Sequence, residues 1–285
     1  RKPDFQNSIC GVQNGHIGLK KNTMIRQSGK RVKKYSNKKD MLLSIVVPTL
    51  NEEANIERLL GIVKRNSFND YEIIVADAGS KDRTCEIAKK YGARVVPGGL
   101  PAKGKNEGAK VSKGEILLFL DADLEMSEGF LDESIKEFIT RRLDIASYRI
   151  YPQISNMLMN RMTLDIFYNY PAKILKKFFP TGAMGIMVRK EKFDAVGGFD
   201  EKIKLAEDHY MVWQVAKIGS YGIFKNGEIY MPLRRFEKDG YARTLIKYLQ
   251  CGIRMKTKGP DRDGDFEYDF DHYDQEVEGE KNKFF

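Results

Sequence analysis

Apolar positions recur along the first half of this chain in two rhythms that alternate. "LLSIVVP" (42–48) is a nearly continuous apolar run, the pattern of a strand buried on both faces. "EEANIERLLGIVKRN" follows, with Ile56, Leu59, Leu60 and Val63 at helical spacing and Asn51 placed to cap the helix. "YEIIVADAGS" (71–80) reads as a second strand running into a turn, and "DRTCEIAKKYG" as a helix closed by Gly92. "ARVVP" predicts a short third strand and "AKGKNEGAKVSKG" a third helix. "EILLFLDADLEM" (115–126) predicts a fourth strand and "EGFLDESIKEFITRR" a fourth helix. This β-α-β-α-β-α-β order predicts an α/β fold with a doubly wound, mostly parallel sheet, whose sites lie at the carboxyl ends of the strands.

Charge changes the picture only after it is located. The chain has 285 residues and a formal charge of +9. Residues 1–40 hold eleven Lys/Arg against two Asp, while residues 41–285 carry 38 basic and 38 acidic side chains. The basicity therefore sits mainly in a polar leader (1–40) expected to be disordered, which argues against nucleic acid as the partner of the body. Met41, just before the first strand, is a candidate natural start. The sequence predicts one catalytic domain over 41–258. An acidic, aromatic-dotted tail (259–285), read as mobile, follows it. Three well-separated cysteines without a CxxC, and no apolar run of membrane-spanning length, predict a reducing, cytoplasmic setting.

The chemistry gathers at three strand ends: "PTLNEE" (48–53), "DAGSKDRT" (77–84) and "DADLE" (121–125). In a parallel sheet these converge on one edge. Asp121 and Asp123 would repel each other and raise each other's pKa unless a cation lay between them. Oxygen-only ligands select a hard ion, Mg²⁺ or Mn²⁺, with open positions for water and substrate phosphates. No GxGxxG or GxxxxGK[ST] competes for the nucleotide.

"SIVVPTLNEEANIERLL", "EIIVADAGSKDRTCEIAKKYGARVV", "AKGKNEGAKVSKGEILLFLDAD", "VGGFDE" and "AEDHYMVWQVAKIG" resemble, in that order and over about 42–222, family 2 glycosyltransferases of the GT-A fold. The resemblance implies a nucleotide-binding half and an acceptor-binding half. It also implies inverting, metal-dependent transfer of a sugar from a nucleoside diphosphate, with UDP- or GDP-sugars as the donors. The acceptor would be a glycan or polyprenyl-linked molecule, taken at a hydroxyl or a lipid phosphate.

By the same resemblance Pro48, Thr49, Asn51 and Glu52 would line the nucleoside pocket, and Asp77 would accept a hydrogen bond from the base edge. Ala78 replaces a second acid that the family often carries. Lys105 would face the donor diphosphate. Asp123 would be the principal metal ligand, beside Ala122, with Asp121 reaching the ribose or the ion. Glu125 is read as a solvated acid opening the next helix, with a third metal ligand as the alternative. Asp208 would be the general base for the acceptor hydroxyl; without the resemblance, simple capping of a helix N-terminus is the plainer reading. His209 is read as packed or exposed rather than catalytic. Gly197–Gly198 before Phe199 suggests a close backbone approach. Arg234 and Arg235 sit where many relatives have a basic motif gripping the diphosphate, and the missing QxxRW pattern favours a single addition, or a few, over polymerisation.

The apolar, aromatic and basic segment 155–180 is read as a helix packed over the acceptor cleft. The alternative is peripheral contact with a membrane surface through Lys173, Lys176 and Lys177. Two other functions compete with transfer. A nucleotidyltransferase lacks support because no Gly-rich basic loop follows the first strand. A non-catalytic nucleotide-sugar-binding protein, with the basic leader contacting nucleic acid or membrane, is set apart by deleting 1–40, which should remove salt-sensitive binding and leave activity.

Overall fold

The computed structural model describes residues 42–153, 157–176, 180–182, 185–203, 205–232 and 241–262. The expected leader and most of the expected tail lie outside these residues, as do Arg234 and Arg235. The apolar run after Leu42 forms β1 (Leu43–Thr49), buried at every position. It is followed by α1 (Glu53–Lys64), β2 (Tyr71–Asp77), α2 (Thr84–Lys90), β3 (Arg94–Pro97), α3 (Pro101–Val111) and β4 (Ile116–Leu120). The seven elements appear in the predicted order, with ends moved by a residue or a few.

After β4 the chain forms the predicted fourth helix together with elements that its periodicity did not announce. A two-residue strand β5 (Glu125–Met126) precedes α4 (Phe130–Thr140) and β6 (Ile145–Pro152). A broken helix follows: α5 (Met157–Leu164), a π turn (Asp165–Asn169) and α6 (Tyr170–Leu175). Then come β7 (Gly185–Arg189), α7 (Lys190–Ala195), α8 (Glu207–Ile218), β8 (Tyr221–Met231) and α9 (Tyr241–Thr257).

The eight strands form one sheet in the order β3-β2-β1-β4-β7-β6-β8-β5. β1 pairs in parallel with β2 and β4, β2 with β3, and β6 with β8. β7 runs antiparallel between β4 and β6, and β5 pairs antiparallel with β8. The mostly parallel sheet is thus as expected, with antiparallel pairing confined to the second half. β1 is the topological switch point, since the chain proceeds from it to β2 on one side and returns to β4 on the other. The loops after β1 and β4 must diverge there and leave a crevice.

Two apolar layers sandwich the sheet. Leu43, Ile45 and Val47 of β1 face a core built with α1, α2 and α4, through Ile56, Leu59, Leu60, Ile87, Phe130 and Phe138. Val46 faces the opposite core with α3, α7 and α8, through Ala102, Ala109, Phe193, Met211, Val212 and Val215. Helix α3 lies very close to β1 because it presents glycine there. A Cβ on Gly104 would stand 3.1 Å from the Pro48 Cβ, and one on Gly108 would overlap the Val46 side chain. The packed chain also runs past 258: Asp261 is buried on Arg254, at 3.2 Å, and Arg262 pairs with Asp200 at 2.7 Å.

Candidate active site

The loops after β1 and β2 are stitched together by reciprocal hydrogen bonds. Asn51 adopts a left-handed backbone (φ 53°) and its Oδ1 accepts from the Lys81 N–H at 2.9 Å. The Asn51 N–H donates to Ser80 Oγ, Glu52 N–H to Thr84 Oγ1 at 2.8 Å, and Glu53 N–H to Asp82 Oδ2 at 3.0 Å. Arg83 N–H returns to Glu53 Oε2. Asn51 is therefore not the cap of α1, as its position suggested; Glu52 stands at that position without a side-chain cap bond. The first free N–H groups of α1 are satisfied by side chains from the next loop instead. That arrangement fixes the crevice wall before any ligand enters.

Asp77 closes the same wall. Its Oδ1 accepts from Thr49 Oγ1 at 2.9 Å and Ser80 Oγ at 2.5 Å, and its Oδ2 from the Gly79 and Ser80 N–H groups at 3.0 and 2.8 Å. Burial alone would raise this carboxyl, but the hydrogen bonds from Ser80, Thr49 and Gly79 outweigh it and hold the group below the ordinary carboxylate range. Those four bonds occupy about all the acceptor sites a carboxylate has. In this arrangement Asp77 organises the loop.

The DxD turn follows β4, with Asp121 and Asp123 half-buried and Ala122 between them packed into the core. The Asp123 carbonyl accepts from Gln153 Nε2 at 2.9 Å and from Arg58 Nη2 at 3.4 Å. Glu125 pairs with Arg58 at 2.9 Å and belongs to β5. It opens no helix, which corrects the solvated helix-start reading. Arg58 and Gln153 support the turn through backbone contacts. No local sequence signal marks either of them.

Across the crevice stands Lys105, on α3, with its side chain 4% exposed. Its ammonium lies 2.7 Å from Asp208 Oδ1, 3.6 Å from Glu207 Oε1 and 3.8 Å from Asp121 Oδ1. One buried cation thus serves three carboxylates drawn from the DxD turn and from the start of α8. Burial would lower the lysine pKa, but Asp208, Asp121 and Glu207 together push it well above its usual value. Burial raises Glu207, helped by the Asp208 charge against the opposing pull of Lys105, to about 7. Asp121 is also raised, by burial and by Asp208, although Lys105 works in the other direction. Burial drops His209 to about 4, so it is neutral at ordinary pH.

Asp208 is not a cap. The cap position of α8 is Ala206, in a left-handed conformation (φ 64°) and with no side-chain cap bond, while the Asp208 carboxylate turns to Lys105. The capping reading fails on that geometry. Beside Lys105, Asn106 holds the "GGFD" loop: its Oδ1 accepts from the Phe199 N–H at 2.9 Å, and its Nδ2 donates to the Phe199 carbonyl at 2.9 Å and to Glu201 at 2.8 Å. Gly197 and Gly198 have φ of 81° and 79°, and a Cβ on Gly198 would come within 2.6 Å of Asn106 Oδ1. The close approach suggested by the glycine pair is this contact. Lys105 also lies 5.3 Å from the centre of the Phe199 ring.

The structure therefore brings Lys105, Asp121 and Asp208 together, and Thr49 with Asp77. Pro48, Asn51 and Glu52 line the wall beside them. Asp123 enters through its turn. Among the described residues no cluster of three or more His, Cys, Asp or Glu side chains could hold a metal ion unaided. None of the helices there is long and apolar enough to cross a membrane.

Comparison with known proteins gives consistent results. The model of the family "Glycosyl transferase family 2" matches residues 44–196. Glucosyl-3-phosphoglycerate synthase of Petrotoga mobilis is 36% identical over 110 residues, 34% of this chain and 34% of that protein. Poly(ribitol-phosphate) β-N-acetylglucosaminyltransferase TarS of Staphylococcus aureus is 29% identical over 185 residues, 59% of this chain and 31% of that protein. The chain thus spans about a third of the length of these curated relatives. Among solved structures, S. aureus TarS 1–349 in complex with UDP-GlcNAc superposes with a TM-score of 0.51 at 20% identity, over 66% of this chain and 58% of that one. A mannosyltransferase from Pyrobaculum calidifontis in complex with GDP-Man and Mn²⁺ reaches 0.56 at 17% identity, over 73% of this chain and 64% of that one. These likenesses show the fold, the GT-A fold.

Proposed function

The chain belongs to glycosyl transferase family 2, and from that premise we propose that it moves a sugar from a UDP- or GDP-sugar to an acceptor hydroxyl or lipid phosphate, with inversion. The acceptor would be a glycan or a polyprenyl-linked molecule. One observation carries this reading: three carboxylates, from the DxD turn and from the start of α8, share a single buried lysine. Such a site has surplus negative charge and is built for a further cation. The donor set fits a hard divalent ion, because Asp121 and Asp123 are oxygen ligands and the described residues offer no cluster that would complete a shell, leaving places for phosphate and water.

Asp123 and Asp121 would hold Mg²⁺ or Mn²⁺. That ion would stabilise charge on the departing diphosphate. Asp208 would take the proton of the acceptor hydroxyl as its oxygen bonds to the sugar's anomeric carbon. The old carbon–oxygen bond breaks at the same carbon, and its electron pair leaves with the diphosphate. Lys105 stands 2.7 Å from Asp208 and holds its carboxylate in place. Diphosphate oxygens would compete for the same ammonium and so free that carboxylate to meet the acceptor hydroxyl. Asn51, Glu52, Thr49 and Pro48 would form the nucleoside wall, with Asp77 setting its shape.

Calorimetry with UDP- and GDP-sugars, with and without Mn²⁺, tests the donor half, and turnover over a panel of glycan and polyprenyl-linked acceptors tests the rest. Asp123→Asn should lose the metal-dependent part of donor affinity. Asp208→Asn should keep that affinity while transfer falls by about 10²–10⁴-fold. Donor affinity indifferent to Mn²⁺ in the unaltered protein, or full transfer by Asp208→Asn, would sink the assignment.

A further inference from the structure

Among the described residues ten large apolar side chains are exposed, and five of them lie between 162 and 175. Met162, Ile166, Tyr170 and Ile174 are 52, 59, 63 and 66% exposed, each four residues from the last, with Leu175 beside them. In an unbroken α-helix positions four apart drift around the axis by about 40° per step, so such a series would spiral away from any flat surface. Here the π turn at Asp165–Asn169 interrupts the helix between α5 and α6. Its wider turn takes more residues, so the drift reverses through that segment and the four side chains stay on one side.

The opposite side is firmly seated. Leu164, Asn169 and Ala172 are buried. The Asn169 amide accepts from the Ile150 N–H at 3.1 Å and donates to the Ile150 carbonyl at 2.9 Å, which locks the π turn to β6. The segment is therefore packed by one face, against β6, while its other face is a straight apolar ridge in water. Exposed Lys173 lies next to that ridge, with half-buried Lys176 after it. Residues 41–260 also carry seven more basic than acidic side chains.

We infer that this ridge docks the protein on an anionic lipid surface. Met162, Ile166, Tyr170 and Ile174 would enter the boundary between headgroups and acyl chains, with Lys173 and Lys176 among the phosphates. A ridge one residue wide suits a fluid surface that closes around it. The adjoining lysines and the net positive charge match anionic headgroups, which an apolar protein groove would not require. The inference does not depend on the transfer chemistry.

The test is flotation of the full chain with vesicles of phosphatidylcholine alone or mixed with phosphatidylglycerol. The protein should float with the mixed vesicles. Ile166→Glu/Ile174→Glu should lower the partition coefficient about tenfold or more with an unchanged melting temperature, since both side chains already face water. Ile139→Glu, an exposed apolar site on α4, should float as the unaltered protein does. The basic leader is present in every variant, so the difference between them reads the ridge alone. Equal flotation of the double variant would mean the leader does the binding and would overturn the inference. No flotation of the unaltered protein, or a dimer in light scattering that the double variant abolishes, would overturn it too.

Discussion

At the scale of single residues the site is governed by an imbalance of charge: one ammonium for Asp121, Glu207 and Asp208. The imbalance has a sign that can be measured. The Glu207 carboxyl is raised from 4.5 to about 7 in the folded chain. Between those values the native state keeps a proton that the unfolded state has lost, so stability falls as pH rises through that window and then levels. Asp121 is shifted the same way. Glu207→Gln removes one of the two contributions. In chelator, the fall in melting temperature between pH 4.5 and 7 should be shallower in the variant, which should be the more stable protein above pH 7. Parallel curves for the two proteins would show that Glu207 titrates normally. Lys105 contributes with the same sign in a different window: its raised pKa gives stability that is complete below the unfolded lysine value and lost only at strongly alkaline pH.

Among the elements α3 has the most to do. It must carry Lys105 into the crevice and Asn106 to the "GGFD" loop, and both depend on how deeply it sits on β1. Gly108 allows that depth, because a methyl group there would overlap Val46. Gly108→Ala gains about 1 kcal/mol of helix propensity, against about 1–3 kcal/mol for overpacking a core that cannot easily give. A net cost of up to about 2 kcal/mol should lower the melting temperature by up to about 8 °C. Val46→Ala in the same chain makes the room, so the double variant should recover part of the loss. Additive losses would mean that α3 does not press on β1 at this point. The spacing Gly104–Gly108 was visible in the sequence, but its partner strand was 60 residues away and its meaning was not.

For the whole molecule, the sequence places the basicity in residues 1–40, a stretch with too little apolar surface to offset its own ordering. Deleting 1–40 should leave the melting temperature nearly unchanged, as scanning calorimetry would read it. A drop of many degrees would mean that the leader packs on the body. The other end behaves differently from its composition, since Asp261 and Arg262 lie just past the expected boundary and yet pair with Arg254 and Asp200.

The first half of the sheet was legible because its information is local. Strands buried on both faces are continuous apolar runs, helices packed on one face show a repeat of 3.6, and the order of the two dictates parallel pairing. β1, β2, β3 and β4 and their helices followed from that, as did the convergence of "PTLNEE" and "DADLE" on one edge. β5 is two residues long, and β8 alternates buried and open positions only in part, so neither has a period of its own. Their pairing is decided by neighbours far along the chain. The functions of individual polar residues divide in the same way. That Asp121, Asp123, Lys105 and Asp208 are candidates for the chemistry could be read from motifs. That Asn51 braces a neighbouring loop, that Asp77 spends its oxygens on Thr49, Gly79 and Ser80, and that Lys105 already holds Asp208 could not. A hydrogen bond or ion pair between residues tens of positions apart is a fact about distance in space, and only the packed sheet fixes that distance.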